Sequence, residues 1–140
     1  MEAKLKNLTI IDLISEKHII LRREVQERWA EYEEEVITHN EAMLLAKISQ
    51  ERISLAEVAR QANISRQAMF KCAKKLEEKG YLRFVNDEVS GKYTELTKQG
   101  EEYCKKSREL KENIEREIAD RIGEDVVDCI KEYLLKDWVK

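Results

Sequence analysis

The stretch Ile64-Ser65-Arg66-Gln67-Ala68-Met69-Phe70-Lys71-Cys72-Ala73-Lys74-Lys75-Leu76-Glu77-Glu78-Lys79-Gly80-Tyr81-Leu82 decides the fold. Ser65 is of the type whose side-chain oxygen accepts a backbone N–H at the start of a helix. Gly80 is the usual stop, because without a Cβ it enters the left-handed region at no steric cost. Between them Met69, Cys72, Ala73 and Leu76 recur at i, i+3, i+4 and i+7, which draws one apolar stripe along a helix over 66–79. Arg66, Gln67, Phe70, Lys71, Lys74 and Lys75 fall outside that stripe.

Upstream, Ser54-Leu55-Ala56-Glu57 has the spacing of a capping box and opens a helix with Leu55, Val58, Ala59 and Ala62 inward. Asn63 ends it, since asparagine tolerates the left-handed conformation. Thr38-His39-Asn40-Glu41 is a second capping box, and its helix turns Ala42, Leu45, Ala46 and Ile48 toward a core. The Arg52-Ile53 link between these helices has room for one short strand. Downstream of Gly80 the period becomes two. Tyr81–Val85 and Lys92–Leu96 are β-compatible, and the turn-forming residues 86–91 between them predict a hairpin.

Thr97 then caps a long charged helix to about Ala119, with Tyr103, Ser107, Leu110, Ile114 and Ile118 on its apolar side. The chain bends near Gly123, and a last helix carries Val126, Val127, Ile130, Tyr133, Leu134 and Trp138. The N-terminal third reads as one helix through Leu8, Ile11, Ile14, His18, Leu21, Val25, Trp29, Tyr32 and Val36. Ile10, Leu13 and Ile20 lie off its stripe. A second apolar face on one helix predicts burial by a second copy of the chain. The expected architecture is therefore mainly α with a small β wing, in one domain of 140 residues. It comprises an N-terminal dimerisation helix (1–36), a winged helix-turn-helix (37–100) and C-terminal dimerisation helices (101–140).

Composition agrees with long helices: 42% hydrophobic, 39% charged, four glycines and no proline. The formal net charge of −3 speaks against nucleic acid, but its distribution does not. Residues 24–41 are rich in glutamate, whereas 66–79 carry Arg66, Lys71, Lys74, Lys75 and Lys79 against only Glu77 and Glu78. Cys72, Cys104 and Cys129 are too widely spaced for a disulfide framework or a zinc site, and read as reduced thiols. His18 and His39 lack Cys or carboxylate partners at ligand spacing, so no metal or other cofactor is expected. Lys4, Lys6 and Asp12 interrupt the apolar N-terminus, so no leader peptide or membrane contact is expected and a cytoplasmic location is. The sequence has no phosphate loop, nucleophile elbow or metal cluster, and enzymatic activity is not expected.

Two capped helices joined by a tight turn and followed by a ribbon form a helix-turn-helix with a wing. Only a helix or a ribbon fits the major groove of DNA. Arg66 and Gln67, near the helix start, are of the types that pair with guanine and adenine edges. Lys71, Lys74 and Lys75 suit phosphates, and an exposed Phe70 would lie against thymine methyls. The helix start at Ser65 offers N–H groups to a further phosphate.

From about Ile37 to Gly100 the sequence resembles the MarR family of winged-helix transcription regulators. Ile37–Leu45 is similar to the family's opening helix, Ile64–Lys71 and Leu76–Leu82 to its recognition helix and exit into the wing, and Leu96-Thr97-Lys98-Gln99-Gly100 to the LTxxG that closes the wing. The resemblance implies a bacterial homodimer, with first and last helices interlocked, repressing from a palindromic double-stranded DNA operator. It also implies a small, often aromatic or anionic effector between the dimerisation helices and the winged part, where Trp29, Tyr32, His39 and Met43 are candidates. One departure concerns the wing. The family's Asp-x-Arg, whose arginine enters the minor groove, is here Glu88 and Ser90, so Lys92 or Arg83 is left to supply a weaker phosphate contact. That departure and the acidic net charge keep a second reading open, a winged-helix module that binds another protein.

Overall fold

The computed structural model describes residues 7–32, 37–87 and 91–140, and hydroxyl side chains open five of the six helices among these described residues. Helix α1 (Ile10–Ala30) starts at Thr9, α2 (His39–Gln50) at Thr38, α3 (Leu55–Ala62) at Ser54, α4 (Arg66–Lys79) at Ser65 and α5 (Lys98–Ile122) at Thr97. In each case the hydroxyl accepts the backbone N–H three residues on. Helix α6 (Glu124–Leu134) follows Gly123 and has no side-chain cap.

Thr9 with Asp12 and Thr38 with Glu41 form complete capping boxes. Ser54 forms half of one, contrary to the sequence expectation. The Glu57 carboxylate turns away to Arg60 and Gln61, and these bonds, Arg60 first, hold its pKa down to about 2. Ser54 is itself occupied in an antiparallel bridge to Tyr93, the one-residue realisation of the short strand expected nearby. The turn between α3 and α4 is made by Asn63 at φ 56° and ψ 44°, with the Ile64 N–H on the Ala59 carbonyl at 3.1 Å.

Strands β1 (Leu82–Asp87) and β2 (Gly91–Leu96) pair antiparallel in the register Leu82 with Leu96, Arg83 with Glu95 and Phe84 with Thr94. The chain resolves into two compact units. Val36–Glu109 is the winged unit, and its core is Leu44, Leu45, Val58, Met69, Ala73, Leu76 and Leu82, each at most 2% exposed. Full burial of a Leu or Met side chain is worth about 1.5–3 kcal/mol, so these residues from α2, α3, α4 and β1 hold the unit. Leu44, outside the expected inward set, is as buried as Leu45.

The second unit comprises Met1–Glu35 and Leu110–Lys140. In it Arg28 bonds Glu24 at 2.8 Å and grips both carboxylate oxygens of Glu117. Lys131 reaches Glu115 at 3.2 Å. Helix α1 contains no buried residue. The last helix stops at Leu134, four residues before Trp138, which the sequence placed within it. The Trp138 indole instead donates to the Tyr133 carbonyl at 2.7 Å, which also accepts the Lys136 N–H at 3.2 Å.

Two glycines fix the winged unit's exit path. Gly80 sits at φ 88° at the end of α4. Gly100, in the first turn of α5, lies so near the wing's start that a Cβ there would stand 2.0 Å from the Tyr81 carbonyl oxygen. Backbone cannot yield as a flexible side chain does. Gly100→Ala should therefore destabilise the protein by about 3 kcal/mol, more than ordinary overpacking, and thermal melts of the two proteins measure it.

Candidate nucleic-acid interface

Helix α4 brings Ser65, Arg66, Gln67, Lys71, Lys74 and Lys75 together as exposed residues, opposite the buried Met69, Ala73 and Leu76. It alone among the described helices has no acidic residue in its first turn. The others carry Asp12, Glu41, Glu57, Glu101, and the pair Glu124 and Asp125 there. The positive end of its helix dipole is thus left for an anion outside the chain.

Phe70 differs from expectation. It is half-buried, its ring 5.7 Å from that of Phe84 on β1 at a tilt of 56°. Lys74 lies over the Phe84 ring at 4.8 Å and the Phe70 ring at 5.7 Å, and reaches Glu77 at 3.4 Å. The two aromatics therefore join the helix to the wing, and the ammonium of Lys74 is carried to that junction. Neither sequence segment signals the contact alone, although both rings stand on faces that pack toward the core.

Side chains alternate along a strand, so Arg83 lies on the face opposite Leu82 and Phe84. It bonds Glu95 at 2.9 Å, and the fold does not bring it to the α4 surface group. Lys92 faces Asn86 in the register, and its side chain lies outside the described residues, as do Glu88 and Ser90.

Lys79, the last basic residue of α4, points elsewhere. Its ammonium sits 3.3 Å from both oxygens of Glu41, which is 1% exposed. Glu41 also accepts the Thr38 N–H at 2.9 Å. Burial opposes charging this carboxyl, but the Thr38 N–H and hydroxyl and the Lys79 ammonium together hold its pKa below the ordinary carboxylate value. A pair separated by 38 residues has no local sequence signal. Cys72, half-buried nearby, has its thiol pKa pushed up by burial and by the Glu41 charge, the setting of an unreactive thiol.

Of the effector candidates, Trp29 and Tyr32 stack edge to face at 5.7 Å in the second unit. In the winged unit His39 is exposed at the first position of α2, and Met43 packs half-buried on the core. No group of three or more His, Cys, Asp or Glu able to hold a metal occurs among the described residues. Nor is any described helix long and apolar enough to cross a membrane.

Residues 37–93 match the family model of the MarR family. The match lies within the winged unit. Solved MarR-type structures share the fold over most of the chain. A MarR family transcriptional regulator from Silicibacter pomeroyi is similar with a TM-score of 0.77 and 14% identity, over 96% of this chain and 89% of that one. A cysteine-to-serine mutant of MarR from E. coli gives 0.74 and 18%, over 91% and 94%. A MarR family protein of Mycobacterium tuberculosis, in complex with p-aminosalicylic acid, gives 0.70 and 23%, over 91% and 96%. No curated protein matches the sequence.

The Glu41–Lys79 pair makes stability depend on pH. Because the folded pKa of Glu41 lies below its unfolded value of about 4.3, its contribution is complete above that value and is lost as pH falls through the folded one. Glu41→Gln keeps an acceptor for Thr38 but leaves Lys79 uncompensated. It should cost about 2 kcal/mol at pH 7, and less as the pH approaches 3. Urea unfolding of both proteins at several pH values checks the convergence.

Proposed function

We propose that the protein is a homodimeric transcription regulator that binds a palindromic double-stranded DNA operator through α4. The observation that carries this reading is the Ser65-capped, acid-free start of a helix presenting Arg66, Gln67, Lys71 and Lys75 outward from a MarR-type winged unit. In this reading Arg66 and Gln67 contact base edges and Lys71 and Lys75 contact phosphates. Ser65 supports a further phosphate at the helix start. Lys74 and Phe70 set the angle of the wing. Arg83 and Lys92 add at most phosphate contacts.

The dimer is supported by apolar surface in the second unit. Ile10, Ile11, Ile19 and Ile20 of α1 are 59, 74, 53 and 51% exposed, and Ile130, Tyr133 and Leu134 of α6 are 45, 56 and 55% exposed. Such a set on two helices of one unit is more than a monomer ordinarily leaves in water. A second copy is the occupant that would also place two α4 helices about one helical turn apart, roughly 10 bp centre to centre. Ligand-responsive repression is the proposed mode of regulation, in keeping with the p-aminosalicylic acid complex of the similar M. tuberculosis protein. Trp29 with Tyr32 in one unit, and His39 and Met43 in the other, are its candidate contacts.

The test is selection of genomic fragments by the purified protein at about physiological salt, followed by sequencing. A palindromic site is the expected outcome, and random fragments would favour a winged-helix module with a protein partner. On the recovered site, Arg66→Ala or Gln67→Ala should relax sequence preference, at about 1–3 kcal/mol for the preferred base. Lys75→Ala should weaken all sequences alike and reduce the salt slope by about one. Uniform loss from all three substitutions would overturn the assignment of base contacts.

A further inference from the structure

The ribbon of β1 and β2 is held to the rest of the winged unit in two directions. In the plane of the sheet, the bridge from Tyr93 to Ser54 ties the β2 edge to the residue that opens α3. Out of that plane, the β1 side chains on the Leu82 face meet α4. Leu82, 2% exposed, lies at the base of the ribbon. A single contact of this kind is a pivot, and two strands alone have little stability with which to hold a direction about it. Phe84 supplies a second point, two residues and roughly 7 Å further along the strand. The next residue on that face, Asn86, is exposed. Phe84 is therefore the outermost anchor of β1 on α4 among the described residues.

Its seat is built by two residues one helical turn apart. The Phe84 ring lies 5.7 Å from that of Phe70, and the Lys74 ammonium stands 4.8 Å from the Phe84 centroid. Glu77, on the next turn, holds the same ammonium at 3.4 Å. Lys71 and Lys75 share the exposed surface of α4 but form neither an ion pair nor a ring contact among the described residues. Of the three lysines that the helix turns outward, only Lys74 has its charge drawn toward β1. The attraction of a cation to a ring acts over the ring's face, so rocking the ribbon away from α4 breaks it. We propose that Phe84 is a positioning residue for DNA binding: seated against Phe70 and under the Lys74 ammonium, it fixes the angle between α4 and the wing, while neither Phe84 nor Lys74 touches the DNA. The inference rests on the reading of α4 as the DNA-binding helix. Lys74 is then a brace rather than a countercharge for phosphate.

Affinity of the full chain for the recovered genomic site, measured at several salt concentrations, tests this. Phe84→Leu, which keeps the apolar volume, and Lys74→Gln should each weaken binding about five- to tenfold with an unchanged salt slope, whereas Lys75→Gln lowers the slope by about one. The double variant should bind about as well as either single one, since both changes remove the same contact. Phe84→Tyr and Lys74→Arg keep the ring and the cation and should stay within about twofold of wild type. Without DNA, the side-chain NMR signals of Lys74 should move in Phe84→Leu as the ring beside them is lost. Lys74 is half exposed, so Lys74→Gln carries the test even if Phe84→Leu folds poorly. A salt slope lowered by one in Lys74→Gln overturns the proposal, because it makes Lys74 a phosphate contact. So does a double variant whose loss is the product of the two single losses, wild-type affinity in Lys74→Gln or in folded Phe84→Leu, or Lys74 signals that do not move. In those outcomes the wild-type chain still binds its site and only this inference falls. A wild-type chain that retains no site removes the DNA-binding reading, and the inference with it.

Discussion

The chain leaves α4 and the wing returns to α5 within one small volume, and everything the winged unit presents depends on how tightly that junction closes. Thr97 closes it. Its hydroxyl donates to the Gly80 carbonyl at 2.6 Å and accepts the Gly100 N–H at 3.1 Å, and its own N–H bonds the Tyr81 carbonyl at 3.1 Å. One side chain thereby caps α5 and ties it to the end of α4. The absence of a Cβ at Gly100 lets the two backbones approach closely enough for all three bonds. Gln99 adds a bond from its amide to the Lys79 carbonyl at 3.3 Å.

With its end held there, α4 is oriented by two further contacts of different character. On one side the Glu41–Lys79 pair links the last turn of α4 to the first turn of α2, and because Glu41 is buried the pair has a narrow range of acceptable geometry. On the other side Phe70 and Phe84 join the helix to β1 through an apolar contact that any aromatic pair of similar shape would satisfy. The basic surface between them consists of residues whose side chains make few demands on the fold. Such a surface is free to change its residues while its frame stays constant.

The parts of this structure legible in the sequence are those decided within four residues. Thr38, Ser65, Asn63 and Gly80 act on their own or neighbouring backbone, and each stands where its chemistry places it. The hairpin and the buried stripe of α4 follow from period alone. Thr9 carried the same signal with Asp12, but an apolar stripe traced from Leu8 hid the helix start. Ser54 and Glu57 show the opposite error. The spacing was right, but Arg60 and Gln61 competed successfully for the carboxylate. What could not be read is what joins distant segments: Lys79 to Glu41, Phe70 to Phe84, and Arg83 to Glu95. Three of the residues expected to face DNA also make contacts within the chain: Phe70 with Phe84, Lys74 over both rings, and Arg83 with Glu95.

The folding-back of Trp138 onto Tyr133 has a consequence for spectroscopy. The chain's two tryptophans, Trp29 and Trp138, both belong to the second unit, while the aromatic residues of the winged unit are Tyr81, Tyr93, Tyr103, Phe70 and Phe84. Excitation at the red edge of protein absorption is therefore blind to events confined to the winged unit. Any change of indole emission on an event within the winged unit would report a signal that has crossed from one unit into the other. The protein thus contains its own optical separation between local binding and its transmission.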